Sequence, residues 1–352
     1  MSSSAEASEV RAGRTAAAIL GCTGTTLNDA ERRFFARAQP LGFILFARNC
    51  ETPQQIAALV RELRASVGRA DAPVLIDQEG GRVLRLRPPV WFGAPPAARY
   101  AEALARDAKA GHEAAWLGAR LIADDLHALG IDVDCAPVLD VPTPGAHDVI
   151  GDRAFGRDPA TVARLGRAFA EGLLAGGVLP IVKHTPGHGR ANADSHHALP
   201  VVDAPREDLE AQDFAPFRAL NDLPWAMTAH VVYSALDAAP ATLSPRVIGE
   251  VVRGWIGFDG LLIADDLNME ALSGSLAERA ALSRKAGCDI VFHCNGRLNE
   301  MEQAVAGAGA MNEVGVARWL RAHAWKRRPE PFARAEAAAR LDGLLAGTAL
   351  TS

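Results

Sequence analysis

The densest group of chemically competent side chains lies at residues 183–190 (KHTPGHGR) and is followed by Asp194-Ser195-His196. Asp194 stands two residues before His196, close enough for a local hydrogen bond that would fix the imidazole tautomer and raise its pKa. Because an unperturbed histidine titrates at about 6.5, such a pair can donate and retrieve a proton near neutral pH. The alternative is a surface loop in which the aspartate caps a turn and the histidine is solvated.

A metal site is a second chemistry that this stretch could support, since it holds four of the ten histidines: His184, His188, His196 and His197. Its two glycines and one proline exclude a regular helix, so His184 and His188 need not share a face as a helical zinc pair does. Glycine instead allows the backbone to approach a ligand closely. A metal-dependent barrel hydrolase therefore stays as an alternative, and no metal or organic cofactor is expected.

The elements that must position these residues are predicted by eight short apolar runs, at residues 16–20, 42–46, 74–77, 133–139, 179–183, 225–229, 261–265 and 289–293. Segments with helical apolar spacing lie between or after them, at residues 53–67, 110–129, 160–174, 269–286, 301–310 and 332–345. This alternation predicts a parallel sheet, and uniformly apolar strands favour a closed (β/α)8 TIM-type barrel. A doubly wound fold is disfavoured because no GxGxxG follows the first strand.

Polar side chains follow the predicted strands three to seven, where a barrel carries its chemistry. Any one of them could be a loop cap or a salt-bridge partner, but charges from five strand ends on one rim require mutual pairing or a polar ligand. The groups are Asp77 with Glu79, Arg82 and Arg85; Asp152 and Arg153; Lys183 and His184; His230; and Asp265 with Asp266. They predict an active site at the mouth of the barrel.

Composition narrows the class of protein. The chain has 352 residues, 49% of them hydrophobic, and a net charge of −5 without a block of like charges, so neither nucleic acid nor a membrane is an expected partner. Five widely spaced cysteines without CxxC predict no disulfide framework and a reducing, cytoplasmic location. Arg11 and Arg14 before the apolar run at 16–20 faintly suggest a lipoprotein signal, but a short buried strand explains that run better.

We expect a flexible N-terminal tail at residues 1–14 and a single catalytic barrel at residues 15–352 that includes the C-terminal helices. No Gly-, Ser- or Pro-rich linker divides the sequence, and it has no internal repeat. Nothing in the sequence determines the oligomeric state, for which a monomer is favoured.

Three groups of residues together resemble the bacterial β-N-acetylglucosaminidases of glycoside hydrolase family 3. These are residues 183–189 with Asp194-Ser195-His196, residues 77–82 with Arg85, and residues 264–269. The single-domain enzymes of cell-wall recycling are the nearest match, and the likeness runs from about 42–49 to 286–289, with residues 151–156 between them.

The resemblance implies a retaining exo-hydrolase that removes terminal β-linked GlcNAc from peptidoglycan fragments such as GlcNAc-1,6-anhydroMurNAc peptides. It makes Asp265 the nucleophile and Asp194-His196 the dyad that donates and accepts the proton. Strand alternation also predicts that only one of Asp265 and Asp266 faces the sugar. The resemblance further implies that five residues bind the sugar: Asp77, Arg85, Arg153, Lys183 and His184.

The sequence departs from the family's pattern at two positions. Thr185 stands where an aromatic residue is common, and Ala264 where a serine often precedes the nucleophile. These two departures bear on fine specificity rather than on the reaction. Two further alternatives are a phosphorylase that uses the same site with phosphate in place of water, and a sugar-binding barrel without catalysis.

Overall fold

The computed structural model describes residues 10–195 and 198–346. Its centre is a closed barrel of eight parallel strands in sequential order. The strands are β1 (Ala16–Leu20), β2 (Pro40–Leu45), β3 (Val74–Ile76), β4 (Val133–Asp134), β5 (Leu179–Thr185), β6 (Trp225–Thr228), β7 (Leu261–Asp266) and β8 (Ile290–His293). Nearly all their residues are buried, because helices cover the outer face and side chains fill the interior. The predicted (β/α)8 fold is confirmed.

Eleven α-helices surround or cap the barrel in the described residues: α1 (Asp29–Ala38), α2 (Pro53–Val67), α3 (Ala98–Arg106), α4 (Ala108–Ala128), α5 (Pro159–Ala175), α6 (Arg206–Asp208), α7 (Ala215–Ala219), α8 (Leu276–Ala286), α9 (Leu298–Ala308), α10 (Glu313–His323) and α11 (Arg334–Ala346). Two further stretches, Leu209–Asp213 and Val247–Trp255, are π-helical. The C-terminal helices predicted at 301–310 and 332–345 correspond to α9 and α11, and α10 lies between them without having been predicted.

Helix α2 has the bounds that the sequence predicts because its ends carry strong local signals. Thr52 accepts a hydrogen bond from the backbone N–H of Gln55, Pro53 occupies the first turn, and Gly68 ends the helix with φ 65°. Its apolar residues recur at helical spacing and are buried against the barrel: Ile56, Leu59, Val60, Leu63 and Val67.

Two predicted elements are shorter in the structure by five residues or more. The helix expected at 269–286 begins only at Leu276, because Ser275 and Glu278 form a capping box there and Gly274 precedes them with φ 87°. The strand expected at 133–139 ends at Asp134, since Pro137 has no N–H to pair with β5. Pairing returns as a single bridge between Val138 and Lys183.

The N-terminal end of the barrel is closed by α10. Trp319 is 1% exposed, and its ring contacts that of Trp225, the first residue of β6, edge-on at 5.8 Å. Helix α11 packs on α4 and is held there by a bidentate ion pair between Arg340 and Glu113. No helix in the described residues is long and apolar enough to cross a membrane.

The start of the described chain touches the C-terminal part of the protein. Val10 is buried, and the backbone N–H of Gly13 donates to the carbonyl of Met311 at 3.0 Å. Residues 1–9 of the predicted tail lie outside the described residues, and the division into a tail and one catalytic domain stays a prediction.

Candidate active site

A cavity of about 270 Å³ opens at the C-terminal ends of the barrel strands, where the sequence predicts the chemistry. Asp265, at the end of β7, lies in its wall together with Ser195 of the loop after β5. Residues from β2, β6 and β8 or the loops that follow them complete the wall with Phe46, Met227 and Cys294. All five predicted sugar-binding residues also line it: Asp77, Arg85, Arg153, Lys183 and His184.

The centre of the charged wall is Lys183, which is 3% exposed and lies on β5. Its Nζ is 2.8 Å from Oδ1 of Asp77 and 2.6 Å from Oε1 of Glu79. Arg85 donates to the other oxygen of Asp77 at 3.1 Å. Burial favours the neutral carboxyl, but the two cations outweigh it, so the pKa of Asp77 lies well below its usual value and the group is ionised.

Glu79 forms the second half of this array. Its two oxygens accept hydrogen bonds from Nε and Nη2 of Arg153, both at 2.8 Å. Burial raises the pKa of Glu79, but Arg153 and Lys183 lower it by more, and the resulting pKa is about 2. Two carboxylates and three cations thus alternate along the wall, giving donors and acceptors that match the hydroxyl groups of a sugar.

Asp140, which is fully buried, connects the loop after β4 to the end of β5. Its Oδ2 lies 2.7 Å from Nδ1 of His184, and its Oδ1 accepts the backbone N–H groups of His184 and His188 at 3.2 and 2.6 Å. A carboxylate is an acceptor only, so Nδ1 of His184 carries the hydrogen in this bond. Asp140 therefore sets the tautomer and orientation of His184.

Asp265 and Asp266 both line the cavity, so strand alternation does not separate them as predicted. The register between β7 and β8 shifts between Ile263 and Asp266, and the regular alternation ends there. Burial raises the pKa of Asp265, but His230 and His184 lower it more, and the net shift is downward. Burial and the neighbouring Asp265 instead raise the pKa of Asp266 to about 6.

The two aspartates also differ in what they bind. Oδ1 of Asp266 accepts the backbone N–H groups of Asn268 and Cys294 at 3.1 and 3.3 Å, which anchors the loops after β7 and β8. Asp265 accepts one backbone N–H, that of Asp266, at 2.8 Å. The ionised carboxyl that is not committed to holding loops is that of Asp265.

His230, two residues after the end of β6, supports the backbone of this pair. Its Nε2 lies 3.0 Å from the carbonyl oxygen of Asp266, and its Nδ1 lies 2.8 Å from Oγ1 of Thr242. His230 is fully buried, and that burial lowers its pKa.

His196, the predicted proton donor and acceptor, lies outside the described residues, as does His197. Asp194 and Ser195 are described, and Ser195 is buried in the cavity wall. The described part of the chain has no group of three His, Cys, Asp or Glu side chains that could hold a metal ion. Of the four histidines in the alternative metal site, His184 and His188 are thus described and His196 and His197 are not.

Three residues to which the sequence analysis gave no individual role take part in the site. Glu79 and Gln78 stand within the polar run at 77–82, which was predicted to lie at the barrel mouth, and Asp140 directly follows the predicted fourth strand. The side-chain oxygen of Gln78 accepts the backbone N–H groups of Arg85 and Leu86, which fixes the loop that carries Arg85. The run of polar residues was the available signal for the first two; nothing local indicated that Asp140 would reach His184.

The family model described as Glycosyl hydrolase family 3 N terminal domain matches residues 14–318. The chain belongs to glycoside hydrolase family 3. The positions at which this family 3 chain departs from the expected pattern, Thr185 and Ala264, are buried and do not line the cavity.

The family 3 chain is similar to named enzymes over most of its length. A β-hexosaminidase of Alkalilimnicola ehrlichii is 41% identical over 284 residues, which cover 79% of this chain and 80% of the relative. NagZ from Neisseria gonorrhoeae, solved in complex with N-trifluoroacetyl-D-glucosamine, is 32% identical with a TM-score of 0.85, covering 96% of this chain and 100% of that one. These similarities support a glycoside hydrolase with β-N-acetylhexosaminidase activity.

A third similar protein extends the comparison to a longer chain. The family 3 β-N-acetylglucosaminidase from a Paenibacillus strain is 32% identical with a TM-score of 0.83, and the match covers 93% of this chain and 67% of that one.

Proposed function

We propose that this enzyme removes a terminal β-linked N-acetylglucosamine by a retaining, two-step displacement with Asp265 as nucleophile. The observation that carries the proposal is the position of Asp265: an ionised carboxylate at the end of β7, in the same cavity as the alternating array around Lys183. A nucleophilic carboxylate must be deprotonated before the sugar binds, and the lowered pKa of Asp265 meets that requirement.

In the first step a carboxylate oxygen of Asp265 attacks the anomeric carbon. The bond from that carbon to the leaving oxygen breaks, and the oxygen takes its electron pair and a proton from His196. In the second step water attacks the same carbon, gives a proton to His196, and releases the sugar and the Asp265 carboxylate. Asp194 acts as the partner that orients His196 and favours its protonated form.

The charged wall binds the terminal sugar. Asp77 and Glu79 offer acceptors to its hydroxyl hydrogens, while Lys183, Arg85 and Arg153 offer donors to its oxygens. Because these groups already hold one another in place, little orientational entropy is lost when the sugar binds. Such contacts can strengthen as positive charge develops on the ring.

The substrate class is a peptidoglycan fragment bearing non-reducing GlcNAc, such as a GlcNAc-1,6-anhydroMurNAc peptide, processed in the cytoplasm during cell-wall recycling. The motifs at 183–189 and 194–196 and the similarity to NagZ support this assignment. We further propose that the enzyme acts as a monomer on this small carbohydrate, without a metal or organic cofactor.

The proposal is tested with an aryl β-N-acetylglucosaminide and a slowly turned-over 5-fluoro analogue of N-acetylglucosaminyl fluoride. The wild-type enzyme should release the phenol, and Asp265→Asn should lower kcat by about four orders of magnitude because no carboxylate remains to attack. Mass spectrometry of the trapped enzyme should find the sugar on the peptide that contains Asp265.

Asp266→Asn is the matched control, since its amide oxygen can still accept the N–H groups of Asn268 and Cys294. A loss below about tenfold is expected for it. A larger loss in Asp266→Asn than in Asp265→Asn, or an adduct on another residue, would overturn the assignment. Product analysis after reaction in phosphate buffer tests the alternative of a phosphorylase. GlcNAc 1-phosphate as the main product would mean that the enzyme catalyses phosphorolysis rather than hydrolysis.

A further inference from the structure

Ser195, in the loop after β5, is held from two directions at the edge of the cavity. Its Oγ lies 3.2 Å from Nε2 of His188, at the base of the same loop. Its backbone carbonyl accepts the N–H of Ala271, which belongs to the loop that follows Asp265, at 3.3 Å. Ser195 is 3% exposed and lines the cavity. The residue directly before His196 thus joins the loops after β5 and β7.

The base of the β5 loop is fixed by other contacts, which are independent of Ser195. Gly189 lies so close to the loop after β4 that a Cβ atom there would overlap the carbonyl of Val141. Nε of Arg190 donates to Oδ2 of Asp213 at 2.9 Å. Because the base is anchored separately, loss of the Ser195 hydrogen bond affects the chain near residue 195 rather than the whole loop.

His188 has the properties of a fixed, neutral hydrogen-bond partner. It is 3% exposed, and burial together with the neighbouring His184 lowers its pKa to about 4. Its backbone N–H is held by Asp140, while Nδ1 has no partner among the described residues. A buried N–H without an acceptor is costly, so the single hydrogen of the neutral ring belongs on Nε2, where it is donated to Oγ of Ser195.

We propose that Ser195 and His188 are positioning residues that act through His196: their hydrogen bond fixes the chain at Ser195, one residue before the proposed proton donor, and acid catalysis depends on that bond. The inference rests on the proposed function. Neither side chain transfers a proton or attacks the sugar. A displaced proton donor weakens acid catalysis in particular, because a proton must reach the leaving oxygen over a hydrogen-bond distance.

Two pairs of variants separate this role from a general effect on folding. Ser195→Ala removes the hydroxyl, whereas Ser195→Thr keeps it. His188→Gln keeps an N–H donor near the position of Nε2, whereas His188→Asn is too short to reach Ser195; both remove the ring that packs 5.7 Å from that of His184. The four variants are compared by thermal unfolding before their kinetics are measured.

The readout is the dependence of kcat/KM on the leaving group. Acid catalysis matters for a basic leaving oxygen and little for an activated one, so we use phenyl and 2,4-dinitrophenyl β-N-acetylglucosaminides. Ser195→Ala and His188→Asn should lose about thirtyfold on the phenyl substrate and less than about threefold on the dinitrophenyl substrate. Ser195→Thr and His188→Gln should stay within about threefold of wild type on both.

Equal losses on the two substrates, or no loss in Ser195→Ala, would overturn the positioning role. If Ser195→Ala does not fold, the contrast between His188→Gln and His188→Asn decides the question alone. Failure of the proposed function looks different, because the wild-type enzyme itself would then turn over neither substrate.

Discussion

At the scale of single residues, the site depends on carboxylates that are buried with the cations that keep them ionised. Glu79 is 7% exposed and shares Lys183 with Asp77, while Arg153 binds both of its oxygens. Such a group stabilises the folded protein only while it is charged, because its neutral form cannot offset the desolvation cost of burying the charges of Arg153 and Lys183.

The pH dependence of folding should therefore contain a contribution from Glu79. Its pKa falls from 4.5 to about 2 on folding, so its contribution is fully present above pH 4.5 and is lost as the pH falls toward 2. The shift corresponds to about 3 kcal/mol. In Glu79→Gln, the free energy of unfolding, measured in urea, should be about 3 kcal/mol lower at pH 7 and should depend less on pH between 5 and 2.5.

Glu102→Gln provides the comparison, because Glu102 is 57% exposed and pairs with Arg99 on the surface of α3. Its unfolding curve should follow that of wild type at every pH. If Glu79→Gln kept the full acid dependence of wild type, the stabilising role of this carboxylate would be refuted.

At the scale of elements, one buried carboxylate links the loop after β4 to both the backbone and a side chain at the end of β5. Asp140 accepts three hydrogen bonds, two from backbone N–H groups and one from Nδ1 of His184. The barrel thereby positions side chains of neighbouring strands through one buried group, which a pair of flexible loops could not do.

Asp140→Asn should lower kcat/KM on an aryl β-N-acetylglucosaminide by at least about a hundredfold, with a much smaller change in the thermal midpoint. The amide oxygen can still bind the backbone, but its NH₂ group faces Nδ1 of His184 and forces the other tautomer, with the hydrogen on Nε2. Asp148→Asn, at a residue 89% exposed beside Arg82, should leave kcat/KM within about twofold of wild type. Near-normal kcat/KM in Asp140→Asn would contradict the tautomer role.

At the scale of the whole molecule, the barrel separates stability from chemistry along its axis. The charged cavity lies at the C-terminal ends of the strands, whereas Trp225 and Trp319 contact each other at the opposite end. A change at the closed end should therefore alter the free energy of unfolding without altering the site.

Trp319→Ala tests this separation. Removing a large, fully buried side chain should lower the free energy of unfolding by about 3–5 kcal/mol. The values of kcat and KM, measured well below the unfolding temperature, should stay within about twofold of wild type. Val314→Ala on the same helix, where Val314 is 55% exposed, should change neither quantity. A marked rise in KM in Trp319→Ala would show that the two ends are coupled.

The elements most accurately predicted from the sequence are those with strong local signals. Strand β1 and helix α2 have the predicted bounds because an apolar run, an N-cap and a terminal glycine each act within a few residues. The helix predicted at 269–286 was too long at its start because its apolar spacing outweighed the capping box at Ser275 and Glu278. A local signal was present there, and the periodicity obscured it.

The sequence by itself determined which residue types were available for chemistry and the order in which strands would present them, because apolar periodicity and motifs are local properties of the chain. Only the tertiary structure decided which charges neutralise one another. Lys183 and Asp77 are 106 positions apart, and Asp140 and His184 are 44 apart. Whether both Asp265 and Asp266 reach the cavity also depended on the register at the end of β7. Such pairings follow from barrel closure, which brings distant strand ends to one rim and which no local pattern encodes.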